Sequence, residues 1–245
     1  SCNPYFYYVT KRIIEQGETN SIFTDARIGL KKWEKYMHSF GLGIQPETDI
    51  YGLRGGVIPN VEFYDRWYGE KRWAFSTIRS NSIGQGEVKL TPLQMANLAA
   101  ILANHGYYYE PHFVKSIGDE GPLERFTQKK ITMVDPKHYE CVTEGMRKVV
   151  NEAGGTARRA RLDSIVVAGK TGTAQNPHGE DHSVFIAYAP FDDPQIAVAV
   201  FVENAGFGGT WAAPIASLMI ENYLKGETSK TWREKRILEG DLIHE

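Results

Sequence analysis

The spacing of apolar and polar positions divides the chain into a helical first part and a strand-rich second part. Large apolar residues recur at helical spacing over 5–16 and 24–40, and a glycine follows each stretch. Both therefore predict amphipathic helices. Asn3 is a good N-cap for the first of them, and Pro4 suits its first helical position.

Two later helices have clearer start and stop signals. Thr91-Pro92-Leu93-Gln94 supplies an N-cap, a helix-starting proline and a capping-box glutamine, and Gly106 closes the helix. Asp135-Pro136 begins another helix, which ends at Gly154-Gly155. Between the two helices, 107–134 predicts an extended or hairpin excursion.

The segment 41–80 differs from the predicted helices on either side of it. Glycines and prolines punctuate its first half, so we expect turns and short irregular segments there. Its second half mixes aromatic, acidic and basic residues, a combination that also occurs on surfaces that bind nucleic acid or glycan. The net charge of −2 favours a packed loop and no nucleic-acid partner.

The second part of the chain predicts a sheet. Three apolar or alternating runs, 164–175, 183–189 and 195–203, predict strands, and their short connections predict antiparallel neighbours. The alanine-rich segment 212–224 predicts a helix that packs on them. We therefore predict an α/β (α+β) fold, with an antiparallel sheet flanked by helices and a helical region from 4 to 153.

Composition narrows the class of protein. The chain has 245 residues and only two cysteines, Cys2 and Cys141, which form no disulfide framework. No run reaches the roughly 18–20 apolar residues of a membrane span. The chain has no signal peptide and opens on Ser1, so we expect a piece of a longer protein with any anchor upstream.

Lys170-Thr171-Gly172-Thr173 is the strongest candidate for chemistry. A cation and two hydroxyls at i and i+2, on one face of a strand, predict an anion-binding strand. Gly172 would let another backbone approach. The segment is not a phosphate-binding P-loop, because position 164 is serine and Asn176-Pro177 interrupts any following helix.

Other familiar sites are weaker. His178 and His182 have the i, i+4 spacing of zinc ligands, but Pro177 and Gly179 disfavour the required helix, so we predict no metal. The chain has no Gly-x-Ser-x-Gly nucleophile elbow, and neither cysteine has a motif neighbour.

A family resemblance rests on several motifs in order. Ser1-x-Asn3 precedes Lys170-Thr171-Gly172, as in penicillin-recognising serine enzymes. The intervening and following segments recur in one family: Ser82–Glu87, Thr91–Asn97, Gly155–Ala157, Val167–Gln175 and Ala212–Pro214. From Ser1 to about 225, the chain resembles the C-terminal portion of the transpeptidase domain of class B penicillin-binding proteins, most of all the elongation-type penicillin-binding protein 2. The charged tail, 226–245, is expected to lie outside the core.

The resemblance implies a penicillin-binding and serine β-lactamase-like fold, truncated at its N-terminus, and D,D-transpeptidation of peptidoglycan stem peptides. Ser1 would relay protons, and Asn3 would hold the substrate amide. Lys170 would supply positive potential for the substrate carboxylate and for the hydroxyl of Ser1. Thr171 and Thr173 would bind the substrate carboxylate, and the Thr173 N–H would form half of the oxyanion hole. No cofactor is implied.

The family's nucleophile motif is missing. No serine begins a Ser-x-x-Lys sequence, and Thr127-Gln128-Lys129-Lys130 has the spacing but the wrong residue. In the family this motif precedes Ser-x-Asn, so we expect the nucleophile upstream of Ser1 and predict that this chain alone is inactive. Covalent catalysis needs an activated nucleophile.

Other functions remain open. The alternatives are a β-lactam sensor that does not cross-link and a non-catalytic scaffold. The resemblance implies stem peptides, β-lactams and other elongation-complex proteins as partners. It also implies a location on the periplasmic side of the bacterial inner membrane, with a single-pass anchor upstream.

Overall fold

The computed structural model describes residues 2–240, which form two compact units, 2–91 and 92–240. Within the described residues, no helix is both long and apolar enough to cross a membrane.

The first unit is helical. Its elements are α1 (Asn3–Ile14), α2 (Ile22–Ser39), α3 (Val61–Tyr68), α4 (Phe75–Ile78) and a 3-10 turn (Arg79–Ile83). Its core joins α1 and α2 to the aromatic side chains of the segment that follows, with Leu30, Tyr64 and Trp73 almost fully buried.

The start of α1 differs from the prediction. Cys2 has extended backbone angles and is the residue before the helix, and its carbonyl accepts from the Phe6 N–H at 3.3 Å. Asn3 therefore lies inside the first turn together with Pro4 and does not cap the helix. Helix α1 thus begins one residue earlier than the preference of asparagine for the N-cap position indicated.

Helix α3 lies in the segment for which we expected turns and a loop. Asn60 caps it by accepting from the Phe63 N–H at 2.9 Å. The aromatics do cover the core, as predicted: Trp73 is buried and donates from Nε1 to Asp65 at 2.9 Å. The helical pattern is hard to see because Trp67, on the same helix, is 71% exposed.

The second unit contains the sheet. Its helices are α5 (Pro92–Ala103), α6 (Glu124–Thr127), α7 (Tyr139–Asn151), α8 (Ala212–Lys225) and α9 (Thr231–Glu239). Its strands are β1 (Tyr107–Tyr108), β2 (Lys130–Ile131), β3 (Ala168–Ala174), β4 (His182–Ala189) and β5 (Ile196–Val202). Two 3-10 turns span Pro136–His138 and Arg158–Ala160. Strands β1 and β2 pair in the predicted excursion.

Strands β3, β4 and β5 form an antiparallel sheet in that order. Phe185 of β4 and Val200 of β5 pack against Ala216 and Ile220 of α8 on one face. On the other face, Tyr188 packs with residues of α5 and α7. The three predicted strands and the predicted helix are confirmed, although β3 begins later than expected, at Ala168.

Up to residue 240, most of the charged segment after α8 is exposed, but one helix in it packs on α8. Its residues 231–239 form α9, and Arg233 is only 3% exposed. Arg233 donates to Ser217 Oγ at 2.6 Å and to the Arg161 carbonyl at 3.2 Å. Glu221, also buried, accepts from the Ser229 N–H at 3.1 Å. These bonds attach α9 to α8.

Candidate active site

The predicted motif lies entirely on β3, at one edge of the three-stranded sheet: Lys170, Thr171, Gly172 and Thr173. Thr171 is paired with Phe185, a core residue on the α8 face. Because side chains alternate along a strand, both threonines lie on that face and Lys170 on the opposite one. The prediction that the two hydroxyls share a face is confirmed.

Both threonines line a groove of about 480 Å³. The other walls are the turn 155–159 and the loop 207–210. Thr156 of the turn contacts β3 directly, because its Oγ1 lies 3.0 Å from Oγ1 of Thr171. The groove is therefore lined by several threonines, whose hydroxyl groups are suited to hydrogen-bonding an oxyanion.

A backbone approaches β3 closely, as predicted for a strand containing Gly172. The approaching residue is also a glycine: a Cβ on Gly208 would overlap the carbonyl oxygens of both Gly172 and Val184. A Cβ on Gly172 itself would lie 3.3 Å from the Val184 Cβ. The loop wall of the groove can lie this near the sheet only because position 208 carries no side chain.

Ser183 holds this loop in place. No motif in the sequence had marked this serine as a functional residue. It is paired with Thr173 across the sheet and is fully buried. Its Oγ donates to the Phe207 carbonyl at 3.0 Å and accepts from the Ala212 N–H at 3.1 Å. One hydroxyl thus connects β4, the loop wall and the first turn of α8. The run of apolar residues around Ser183 indicated burial but not these partners.

A backbone hydrogen bond and buried alanines fix the position of the turn 155–159. The Ala157 N–H donates to the Val149 carbonyl at 3.0 Å, and Ala157 and Ala160 are fully buried in the core under α8. A Cβ on Gly155 would overlap the Val149 carbonyl. The alanines anchor the turn while Thr156, Arg158 and Arg159 remain exposed at the groove.

Lys170 is partly buried, and this desolvation lowers the pKa of its ammonium from the ordinary value. Its Nζ donates to the Thr171 carbonyl at 2.6 Å. The motif by itself does not indicate that the lysine is hydrogen-bonded to its own strand.

The sequence offered two other candidates, the Ser1-x-Asn3 motif and the His178/His182 pair. Asn3 is exposed in the first turn of α1, in the other unit, and Ser1 lies outside the described residues. His182 Nδ1 accepts from the Asn204 N–H at 3.0 Å, which orders the end of β4. Within residues 2–240, no group of three or more His, Cys, Asp or Glu is placed to hold a metal ion.

A Lys-Thr-Gly sequence, here on an edge strand beside a groove, is a motif of penicillin-recognising serine enzymes. The sequence profile of the penicillin binding protein transpeptidase domain matches residues 1–221. The chain therefore belongs to this family.

Three relatives illustrate the similarity. The chain is 35% identical over 237 residues to peptidoglycan D,D-transpeptidase MrdA of Haemophilus influenzae, which covers 88% of this chain and 36% of the relative. Pseudomonas aeruginosa PBP2 in complex with WCK 5153 matches with a TM-score of 0.77 at 31% identity, over 94% of this chain and 47% of that one. The ceftriaxone acyl-enzyme complex of penicillin-binding protein A from Mycobacterium tuberculosis matches with a TM-score of 0.68 at 26% identity, over 91% and 46%.

These matches confirm the predicted family, its fold and the similarity to penicillin-binding protein 2. The chain spans about a third of the length of the curated MrdA relatives it matches.

Proposed function

We propose that this chain is the substrate-binding part of a peptidoglycan D,D-transpeptidase. The observation that carries the proposal is the groove, in which the hydroxyl-bearing residues Thr171 and Thr173 lie side by side on a Lys-Thr-Gly strand. The curated relative is named a peptidoglycan D,D-transpeptidase, which favours a cross-linking enzyme over a sensor or a scaffold.

In the proposed reaction, a serine hydroxyl attacks the carbonyl of the penultimate D-alanine of a stem peptide. The peptide bond breaks, and the terminal D-alanine leaves after its nitrogen takes up the proton of the serine. An amine of a neighbouring stem peptide then attacks the acyl-enzyme, forms the cross-link and returns a proton to the serine. Each backbone or side-chain donor to the oxyanion is worth about 10²–10³ in rate.

The proposed roles follow the motif. Thr171 and Thr173 bind the terminal carboxylate, and the Thr173 N–H is half of the oxyanion hole. Gly172 leaves room at the strand edge. Lys170 supplies positive potential for the substrate carboxylate and for the hydroxyl of Ser1. Ser1 relays the proton, and Asn3 holds the substrate amide.

The nucleophile is proposed to come from another part of the full-length protein. None of the serines in the 245 residues begins a Ser-x-x-Lys sequence. We further propose that the domain works on the periplasmic side of the bacterial inner membrane, held by a single-pass anchor in another segment. Its proposed partners are stem peptides, β-lactams and other elongation-complex proteins. The acyl-enzyme that the mycobacterial relative forms with ceftriaxone supports the β-lactam assignment.

The test is acylation of the full-length gene product by a fluorescent penicillin, whose carboxylate takes the place of the substrate's. The double variant Thr171→Val/Thr173→Val should be acylated at least about tenfold more slowly, because each hydrogen bond to a charged group contributes about 1.5–3 kcal/mol. Thr127→Val, at an exposed threonine on α6, is the control and should react normally.

The 245-residue chain, tested in parallel, should form no covalent adduct. Stoichiometric labelling of this chain would overturn the assignment of the nucleophile. Normal acylation of the double threonine variant would overturn the assignment of the groove.

A further inference from the structure

Two arginines line the same groove as the threonines of β3. Arg158 and Arg159 belong to the exposed 3-10 turn that forms one wall of the groove. Among residues 2–240, neither has an acidic partner within 4.0 Å. By contrast, Arg147 on the preceding helix is held by Glu144 through two 2.7 Å bonds.

The position of the two arginines is set by the fold. The buried side chains of Ala157 and Ala160 flank them in sequence, so the backbone of the turn is anchored at both ends. The hydroxyl contact between Thr156 and Thr171 sets the distance from this turn to β3. Such a wall presents its cations to a ligand without first having to order its backbone.

Lys170 is not among the residues that line the groove. It lies on the opposite face of β3 from the threonines, and its ammonium donates to the Thr171 carbonyl. The two hydroxyls on β3 therefore face a groove whose lining cations are arginines. A guanidinium matches the geometry of a carboxylate with two parallel donors, and such charge-assisted bonds are stronger than neutral ones.

We propose that Arg158 and Arg159 are specificity-determining residues that add positive charge, beyond that of Lys170, for the substrate carboxylate held by Thr171 and Thr173. This inference rests on the proposed function for the identity of the ligand, a peptide ending in D-alanyl-D-alanine. It assigns the discrimination between a free carboxylate and a neutral peptide end to the arginine turn.

The experiment measures binding of two probes to the 245-residue chain by NMR titration. The probes are diacetyl-L-lysyl-D-alanyl-D-alanine and the same peptide with a C-terminal amide, which has the same shape but no charge. The variants are Arg158→Gln, Arg159→Gln and their combination. Arg161→Gln is the matched control, because Arg161 is exposed just after the same turn but does not line the groove.

We expect the double arginine variant to lose about tenfold in affinity for the acid, with each single variant losing about two- to fivefold, as for exposed charge pairs. Affinity for the amide should change less than twofold in every arginine variant. The Arg161→Gln control should match the wild type with both probes. Added salt should weaken binding of the acid in the wild type more than in the double variant.

Equal losses for the acid and the amide would overturn the inference, because a merely structural role would affect both probes. Unchanged binding of the acid would overturn it too. The variant Thr171→Val/Thr173→Val separates the two proposals. If it loses affinity for the acid while the arginine variants do not, the arginine inference alone fails. If the wild type does not prefer the acid, both fail.

Discussion

Replacing Ser183 by alanine tests how the groove is built. The hydroxyl is fully buried, donates to the Phe207 carbonyl and accepts from the Ala212 N–H. Ala212 is the first residue of α8, and Trp211 before it provides no side-chain cap. The first N–H groups of a helix lack partners within the helix. Ser183 thus caps α8 from the neighbouring strand.

The expected cost can be worked out from these two bonds. Without the hydroxyl, the buried Ala212 N–H has lost its partner, which costs about 1–3 kcal/mol. The Phe207 carbonyl lies in an exposed loop and can bond to water, so it adds little. We expect a loss of about 2 kcal/mol in the free energy of unfolding. For a chain of this size, that lowers the melting temperature by about 4–8 °C.

Urea denaturation measures the loss of stability, and hydrogen exchange at the Ala212 amide measures its local origin. That amide should exchange faster in Ser183→Ala than in the wild type. Ser116→Ala, at an exposed serine, is the control and should stay within about 0.5 kcal/mol of the wild type. A Ser183→Ala protein that loses less than about 0.5 kcal/mol, with its Ala212 amide still protected, would refute the reasoning.

Two further predictions concern the same unit. Gly208→Ala should lose about 1–3 kcal/mol of stability, because the new Cβ overlaps backbone oxygens. Gly154→Ala is the control and should keep its stability, because there is open space around Gly154. Equal urea midpoints for the two variants would contradict this prediction. Burial alone would raise the pKa of Glu221, but bonds from Ser229 and Lys225 lower it below the ordinary 4.5. Glu221→Gln should therefore be less stable than the wild type at neutral pH, and thermal melts should show the difference shrinking as the pH falls below 4.5. A difference in stability that stays constant as the pH falls would contradict this prediction.

The main elements of the sheet could be predicted because their signals are local. The strands around Thr171, Phe185 and Val200 show continuous or alternating apolar runs, and α8 shows its alanine-rich stripe. The common face of Thr171 and Thr173 follows from the two-residue period of any strand. The Ser1-x-Asn3 and Lys170-Thr171-Gly172 motifs, together with the segments between and after them, were enough to indicate the family, which the comparisons confirm.

Helix α3 and the packing of α9 could not be predicted from local patterns. On α3, the exposed Trp67 obscures the amphipathic pattern of the helix in the sequence. On α9, Arg233 is a charged residue that becomes buried. Arg233 is stable there because Ser217 and the Arg161 carbonyl, far away in sequence, accept its bonds. Sequence reasoning assigns a charged segment to the surface unless such partners are known.

The sequence by itself determined the strand that carries Lys170-Thr171-Gly172-Thr173 and the face its hydroxyls occupy. Only the tertiary structure decided what surrounds that strand. Ser183, Gly208 and the arginine turn shape the groove through contacts with other elements, as in the hydroxyl bond from Ser183 to a residue 29 positions away. Hydroxyl bonds and backbone contacts of this kind leave no periodic trace in a sequence, because they depend on how the elements pack.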